Sequence, residues 1–319
     1  MNKKAKLILL GLASLILAFL DLFVGTGELG ILDLKNLTDL QRIILFKIRL
    51  PEMGTGLSIG LILGLSGGLM QTILDNPLAS PFTLGISSAA GFGAALFLLL
   101  GFSISFIPLA ALAFSLIALV FVYFFSKKNM AETSAMILAG IAIKFFFDSL
   151  TSLSQYISTD ETLSSIIFWL FGSLSTTSPR QVFILLALFF ISLALIMKDS
   201  HKLTALRFGE DRARAMGIDT SYLKIKSFIL VSILASLAVS FAGVIGFIGI
   251  IGPHLARLVF GEEQRYFLLG SSLFGSNLLV FSSILSKVLR PGTILPIGII
   301  SSLLGLPLIL AFLIRRSYD

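Results

Sequence analysis

Residues 54–74 read GTGLSIGLILGLSGGLMQTIL, without a single charged side chain. A helix rises about 1.5 Å per residue, so a run of about 20 apolar residues spans the hydrocarbon core of a bilayer. Gly56, Gly60, Gly64 and Gly68 recur every four residues and fall on one face of such a helix as a smooth stripe. Small residues at this spacing let two backbones approach closely in lipid. The stripe therefore predicts tight helix packing at the centre of a bundle, in a transporter or in any other polytopic protein.

Similar apolar windows fall near 7–29, 82–100, 106–126, 134–157, 180–197, 223–245, 246–260, 266–289 and 295–314. With the first window they predict an all-α integral membrane protein of about ten transmembrane helices, with glycines blurring the limits near 158–178 and 241–260. Composition agrees: 13% of residues are charged, against about 25% in soluble domains, and mean hydropathy is +1.00. No polar block is long enough to fold separately, so residues 1–319 are expected to form a single transmembrane domain. Residues 1–24 have the basic start and apolar middle of a signal peptide. Their apolar run is long, however, and no small-x-small site follows it, so a retained first helix is expected.

Of the 24 Lys and Arg residues, 16 fall on one side when an even number of helices is threaded with the N-terminus inside. That bias predicts both termini in the cytoplasm. It also accounts for the net charge of +7 without nucleic acid; membrane lipid is the expected surrounding. The chain has no Cys and only two His, His201 and His254, far apart in sequence. No metal-ligand motif and no phosphate-binding loop occurs. No catalytic residue, metal or cofactor is therefore expected in this chain.

One segment breaks the apolar pattern. LTALRFGEDRARAMGID (203–219) crowds Arg207, Glu210, Asp211, Arg212, Arg214 and Asp219 together. Acids in the first turn and arginines after them suit a helix dipole, and glycine suits the helix end. A short helix projecting between Gly209 and Gly217 follows. Its mixed charge favours a protein partner over anionic headgroups.

Here the chain resembles the membrane subunit of the type II ABC importers for iron-siderophores, haem and cobalamin. The likeness rests on LRFGEDRARAMGID (206–219), AGVIGFIGIIGPHLARLVFG (242–261), LPIGIISSLLGLPLILAFLIRR (295–316), IRLPEMGTGLSIGLILGLSGGLMQTILDNPLASPFTLGISSAAGFGAA (48–95) and TSAMILAGIAI (133–143), in fixed order. The resemblance implies a multi-pass permease domain in a bacterial or archaeal cytoplasmic membrane. It implies partners too: a second permease copy or a paralogue, two ATPase subunits carrying ATP and Mg, and an extracytoplasmic substrate-binding protein. A ferric siderophore is the expected cargo, with haem or cobalamin as alternatives.

By the same resemblance, cytoplasmic coupling helices occupy about 200–221, with Leu206, Gly209, Glu210, Arg212, Ala213, Arg214, Met216 and Gly217 as the ATPase contact. Thr133 and Ser134 match a cytoplasmic gate, with a plain helix cap as the lesser alternative. Arg49, Lys287 and Arg290 stand where cations dock the binding protein. Glu52 and Ile294 depart from the pattern, since the family often has Arg in place of the first and Glu in place of the second.

Lys144 lies ten residues into a span, with Asp148 one turn further on the same face. A charge at that depth is a functional candidate by default. Lys144 and Asp148 are expected either to line the translocation path or to form a structural pair. An ion-coupled secondary transporter is the rival reading. It would need such titratable groups and inverted repeats, and no persuasive repeat is visible.

Overall fold

The computed structural model describes residues 2–25, 37–126, 133–290 and 292–316, and the described residues contain helices but no strand. In chain order the helices are α1 Lys3–Phe23, α2 Asp39–Ile43, α3 Leu50–Ile73, α4 Ile86–Leu99, α5 Ile107–Ser126, α6 Thr133–Tyr156 and α7 Asp160–Leu170. They continue with α8 Pro179–Lys198, α9 Ser200–Arg207, α10 Glu210–Ala215, α11 Thr220–Ala242, α12 Ile248–Phe260, α13 Gln264–Val288 and α14 Ile297–Arg316. A π-helical turn, Ile44–Arg49, joins α2 to α3.

Each of the ten apolar windows carries a helix. Among the described residues, seven helices are long and apolar enough to cross a membrane; Ile86–Leu99, Ile248–Phe260 and Ile297–Leu310 are shorter. Backbone chemistry sets these limits. α4 starts after Gly85 at φ +78°, and α12 is framed by Phe247 at +67° and Gly261 at +71°. These left-handed conformations end regular helix and suit glycine. The polar segment near 158–178 contributes α7, whose Thr159 cap accepts from Thr162 N.

α3 lies at the centre, with 78% of its membrane-length window buried against 17% for α1. The glycine stripe is what admits it. A Cβ on Gly64 would lie 2.1 Å from the Ser271 carbonyl oxygen, and one on Gly60 would lie 2.5 Å from Ser276 Cα, both on α13. Gly67 is tighter still, with a Cβ 1.8 Å from Gly249 O on α12, and Gly275 faces back onto Gly60 O at 2.4 Å. The stripe is not uniform. Gly56 would meet only side-chain methyls, Leu174 Cδ1 at 3.4 Å and Val280 Cγ2 at 3.7 Å, and Gly68 the Ser271 hydroxyl at 3.0 Å.

Ion pairs mark the two ends of the bundle. Lys3 Nζ meets Glu263 Oε2 at 2.7 Å, and Thr204 Oγ1 accepts from Gln264 N at 3.1 Å. The N-terminus, the α12–α13 turn and α9 thus share one end. At the other end, Leu295 N donates to Ser286 O at 3.1 Å, and α14 runs back from there. α1 therefore begins, and α14 ends, on the side of the charged 203–219 segment.

Candidate functional site

α9 and α10 form a compact hairpin at the end of the bundle where α1 begins. Gly209, at φ +116°, opens α10, and Gly217, at φ +77°, closes it. Glu210 turns inward: Arg214 Nη2 donates to its Oε1 at 2.6 Å, Thr220 Oγ1 donates at 3.1 Å, and Lys224 Nζ donates to Oε2. Burial alone would raise the Glu210 pKa, but the Lys224 hydrogen bond and charge, with Thr220 and Arg214, outweigh it and hold the pKa below its ordinary value. Asp199 is anchored in the same way, with Lys202 at 2.9 Å and Lys226 at 2.5 Å. There too burial acts upward and the two lysines bring the net shift downward.

This geometry corrects the expected contact set. Gly209, Arg212, Arg214, Met216 and Gly217 are exposed, whereas Leu206 and Ala213 are buried within the chain and Glu210 is turned into its ion pairs. The hairpin is amphipathic: Leu203, Ala205, Leu206 and Ala213 pack inward, while other apolar side chains face out. Phe208, Met216 and Tyr222 are 62%, 71% and 65% exposed. Phe208 and Tyr222 were missed in the sequence, although for Phe208 an aromatic beside a surface glycine, Gly209, was a readable signal. The exposed face thus combines apolar anchors with Arg212 and Arg214, the combination typical of protein interfaces.

Within the bundle, Lys144 Nζ lies 2.6 Å from Asp148 Oδ2, with side-chain exposures of 30% and 42%. The pair lines a cavity of about 310 Å³ with Ser87, Ser88, Thr151, Ser152 and Gln155. α4 and α6 meet there closely: a Cβ on Gly85 would lie 2.8 Å from Lys144 N. Charges on a lipid face are costly, so an accessible pair among hydroxyls fits a water-filled or protein-covered face. A second cavity of about 860 Å³ is lined by Glu52, Trp169, Ser173, Ser175, Thr176, Gln181, Ser283 and Ser286.

The docking expectation needs a second correction. Lys287 is buried, with Nζ 2.9 Å from Asp21 Oδ1 and 3.5 Å from Glu52 Oε2. Arg49 is also buried and donates from Nη1 to Leu22 O at 2.8 Å. Of the three proposed docking cations only Arg290 is exposed. Charges need partners when desolvated, and Glu52 supplies one, which gives its departure from the family pattern a structural reason. Asp21 was missed; a lone acid late in an apolar helix was the signal. Thr133 and Ser134 open α6 in the backbone, but their side chains lie outside the described residues. Among the described residues no cluster of three or more His, Asp or Glu could hold a metal.

Residues 12–316 match the FecCD transport family. The chain is 31% identical to the vitamin B12 import system permease protein BtuC of Vibrio vulnificus, with 100% of this chain and 96% of the relative covered. It is 33% identical to the molybdate import system permease protein MolB of Haemophilus influenzae, over 86% of this chain and 83% of that one. Among solved structures, one described as an inward-facing metal-chelate type ABC transporter superposes with a TM-score of 0.89 at 30% identity, over 98% of this chain and 99% of that one.

Proposed function

The chain belongs to the FecCD transport family as a multi-pass ABC transporter permease, and from that premise we propose that it imports a ferric siderophore across the cytoplasmic membrane. It works as one half of a dimeric pore, with two ATPase subunits below and an extracytoplasmic binding protein above. The observation that carries this reading is the 208–217 surface, where Phe208, Met216, Arg212 and Arg214 stand out from a hairpin pinned to α11 by Glu210–Lys224 and Asp199–Lys226. A helix pinned at its base and bare on its outer face is built to pass a partner's motion inward.

The likeness to a transporter of metal-chelate type supports an iron-chelate cargo. The names of relatives extend the alternatives to cobalamin and to the molybdate oxyanion. In this reading the Lys144–Asp148 cavity belongs to the translocation path. The ATPase closes on ATP, the 203–219 segment shifts, and the two permeases exchange outward-open and inward-open states. ATP hydrolysis takes place on the partner, and this chain performs no covalent chemistry.

The test is affinity purification in mild detergent beside an Arg212→Glu/Arg214→Glu variant. A soluble ATPase that accompanies the native chain and is lost from the variant supports the reading. No ATPase, under conditions that hold a known importer together, overturns it. Uptake of a ferric hydroxamate by the reconstituted complex, compared with cobalamin and molybdate, decides the cargo.

A further inference from the structure

Arg207 ends α9, and its side chain is only 16% exposed. Its Nε donates to Glu262 Oε2 at 3.0 Å and its Nη2 to Glu262 Oε1 at 3.1 Å, a two-pronged fork of the kind that fixes geometry as well as charge. Its Nη1 donates to Asp75. Glu262 sits in the turn between α12 and α13, and Asp75, at φ +45°, sits just beyond the end of α3. The same corner continues inward: Arg257 Nε of α12 lies 2.8 Å from Glu262 Oε1, and its Nη1 donates to Gln71 Oε1 of α3 at 3.3 Å.

The remaining ion pairs of the coupling segment run within it or to α11, through Glu210–Lys224 and Asp199–Lys226. Among the described residues, Arg207 alone ties this segment by ion pairs to α3 and the α12–α13 turn. Those helices have no slack between them. At Gly60, Gly64, Gly67 and Gly275 the backbones approach so closely that a methyl group would overlap a backbone atom. Close-packed contacts of this kind transmit displacement rather than absorb it.

We propose that α3, α12 and α13 move as one body, and that Arg207 is the positioning residue through which the coupling segment drives it. A bidentate fork resists both pull and rotation, whereas the α11 pairs hold the segment's other flank. This rests on the reading of the segment as the ATPase contact.

The native chain contains no Cys, so single introduced cysteines can be spin-labelled cleanly. His201→Cys reports on α9, and Leu258→Cys, at an exposed position, reports on α12. Distances between the two copies are measured in the importer reconstituted with its ATPase, before and after trapping with ATP and vanadate. In the otherwise native chain both label pairs shift. In Arg207→Gln the shift at 201 persists, the shift at 258 is lost, and ferric hydroxamate delivered per ATP hydrolysed falls. Glu262→Gln, which weakens the fork and keeps the arginine, reproduces the effect and stands in if Arg207→Gln does not fold. An undiminished shift at 258 in both variants overturns the proposal. So does loss of the ATPase from the variants, which would make Arg207 a docking residue. Failure of the importer reading is distinguishable, because then the unsubstituted chain itself holds no ATPase.

Discussion

Lys287 Nζ lies 2.9 Å from Asp21 Oδ1, and the two side chains are 2% and 1% exposed. Ser283 Oγ donates to the same Asp21 oxygen at 3.0 Å, and Glu52 stands 3.5 Å from the ammonium. The group ties α1, α3 and α13 together at the end opposite the charged 203–219 segment. Breaking a buried pair from one side typically costs about 3–5 kcal/mol, because the remaining charge is uncompensated. Lys287→Met strands two carboxylates and is expected to destabilise the fold by that order, seen as a lower thermal midpoint in detergent. Adding Asp21→Asn should recover part of the loss. A Lys287→Met protein that melts like the native chain would remove the structural role.

The glycine stripe makes a graded prediction. Gly64→Ala drives a methyl into the Ser271 carbonyl at 2.1 Å, whereas Gly56→Ala meets a leucine methyl at 3.4 Å. Overpacking costs about 1–3 kcal/mol, and more where backbone must move. Gly64→Ala should therefore cut the yield of folded protein in detergent sharply, with Gly56→Ala close to native. Equal yields from the two variants would show that the α3–α13 contact has slack.

Acid should release the coupling hairpin late. The Glu210 and Asp199 pKa values lie below their ordinary values of 4.5 and 3.8. A carboxyl lowered on folding contributes stability that is fully present above its unfolded pKa and lost as pH falls through the folded one. Amide exchange over 200–221, corrected for its intrinsic pH dependence, should stay protected from neutral pH down through the ordinary carboxylate range. Protection should fail only below it. Loss of protection already between about pH 7 and 6 would contradict the lowered values.

Lys144 and Asp148 form a close pair, yet both border a hydroxyl-lined cavity. Asp148→Asn is expected to leave folded yield near native and to change the uptake rate, because an accessible pair contributes little stability. Loss of folded protein with Asp148→Asn would instead make the pair structural.

Much of the fold was legible. Each of the ten apolar windows holds a helix because crossing a bilayer constrains segments one at a time, and backbone groups must be satisfied within each. The 203–219 hairpin was readable from its glycines and charges. Which of its residues face out was not: Ala213 and Met216 sit three apart, yet one is buried and the other bare. Met216 lies past the end of α10, so helical spacing no longer sets its direction.

The sequence by itself determined the number of apolar segments and the place of the charged hairpin, since hydropathy and charge act locally against lipid and water. Only the tertiary structure decided that Lys287 and Arg49 are internal, that Asp21 and Glu52 are their setting, and that Gly60 and Gly64 abut the α13 backbone while Gly56 does not. Those outcomes depend on which helix stands opposite. Side chains hundreds of positions apart, such as Asp21 and Lys287, meet only when the bundle closes around α3.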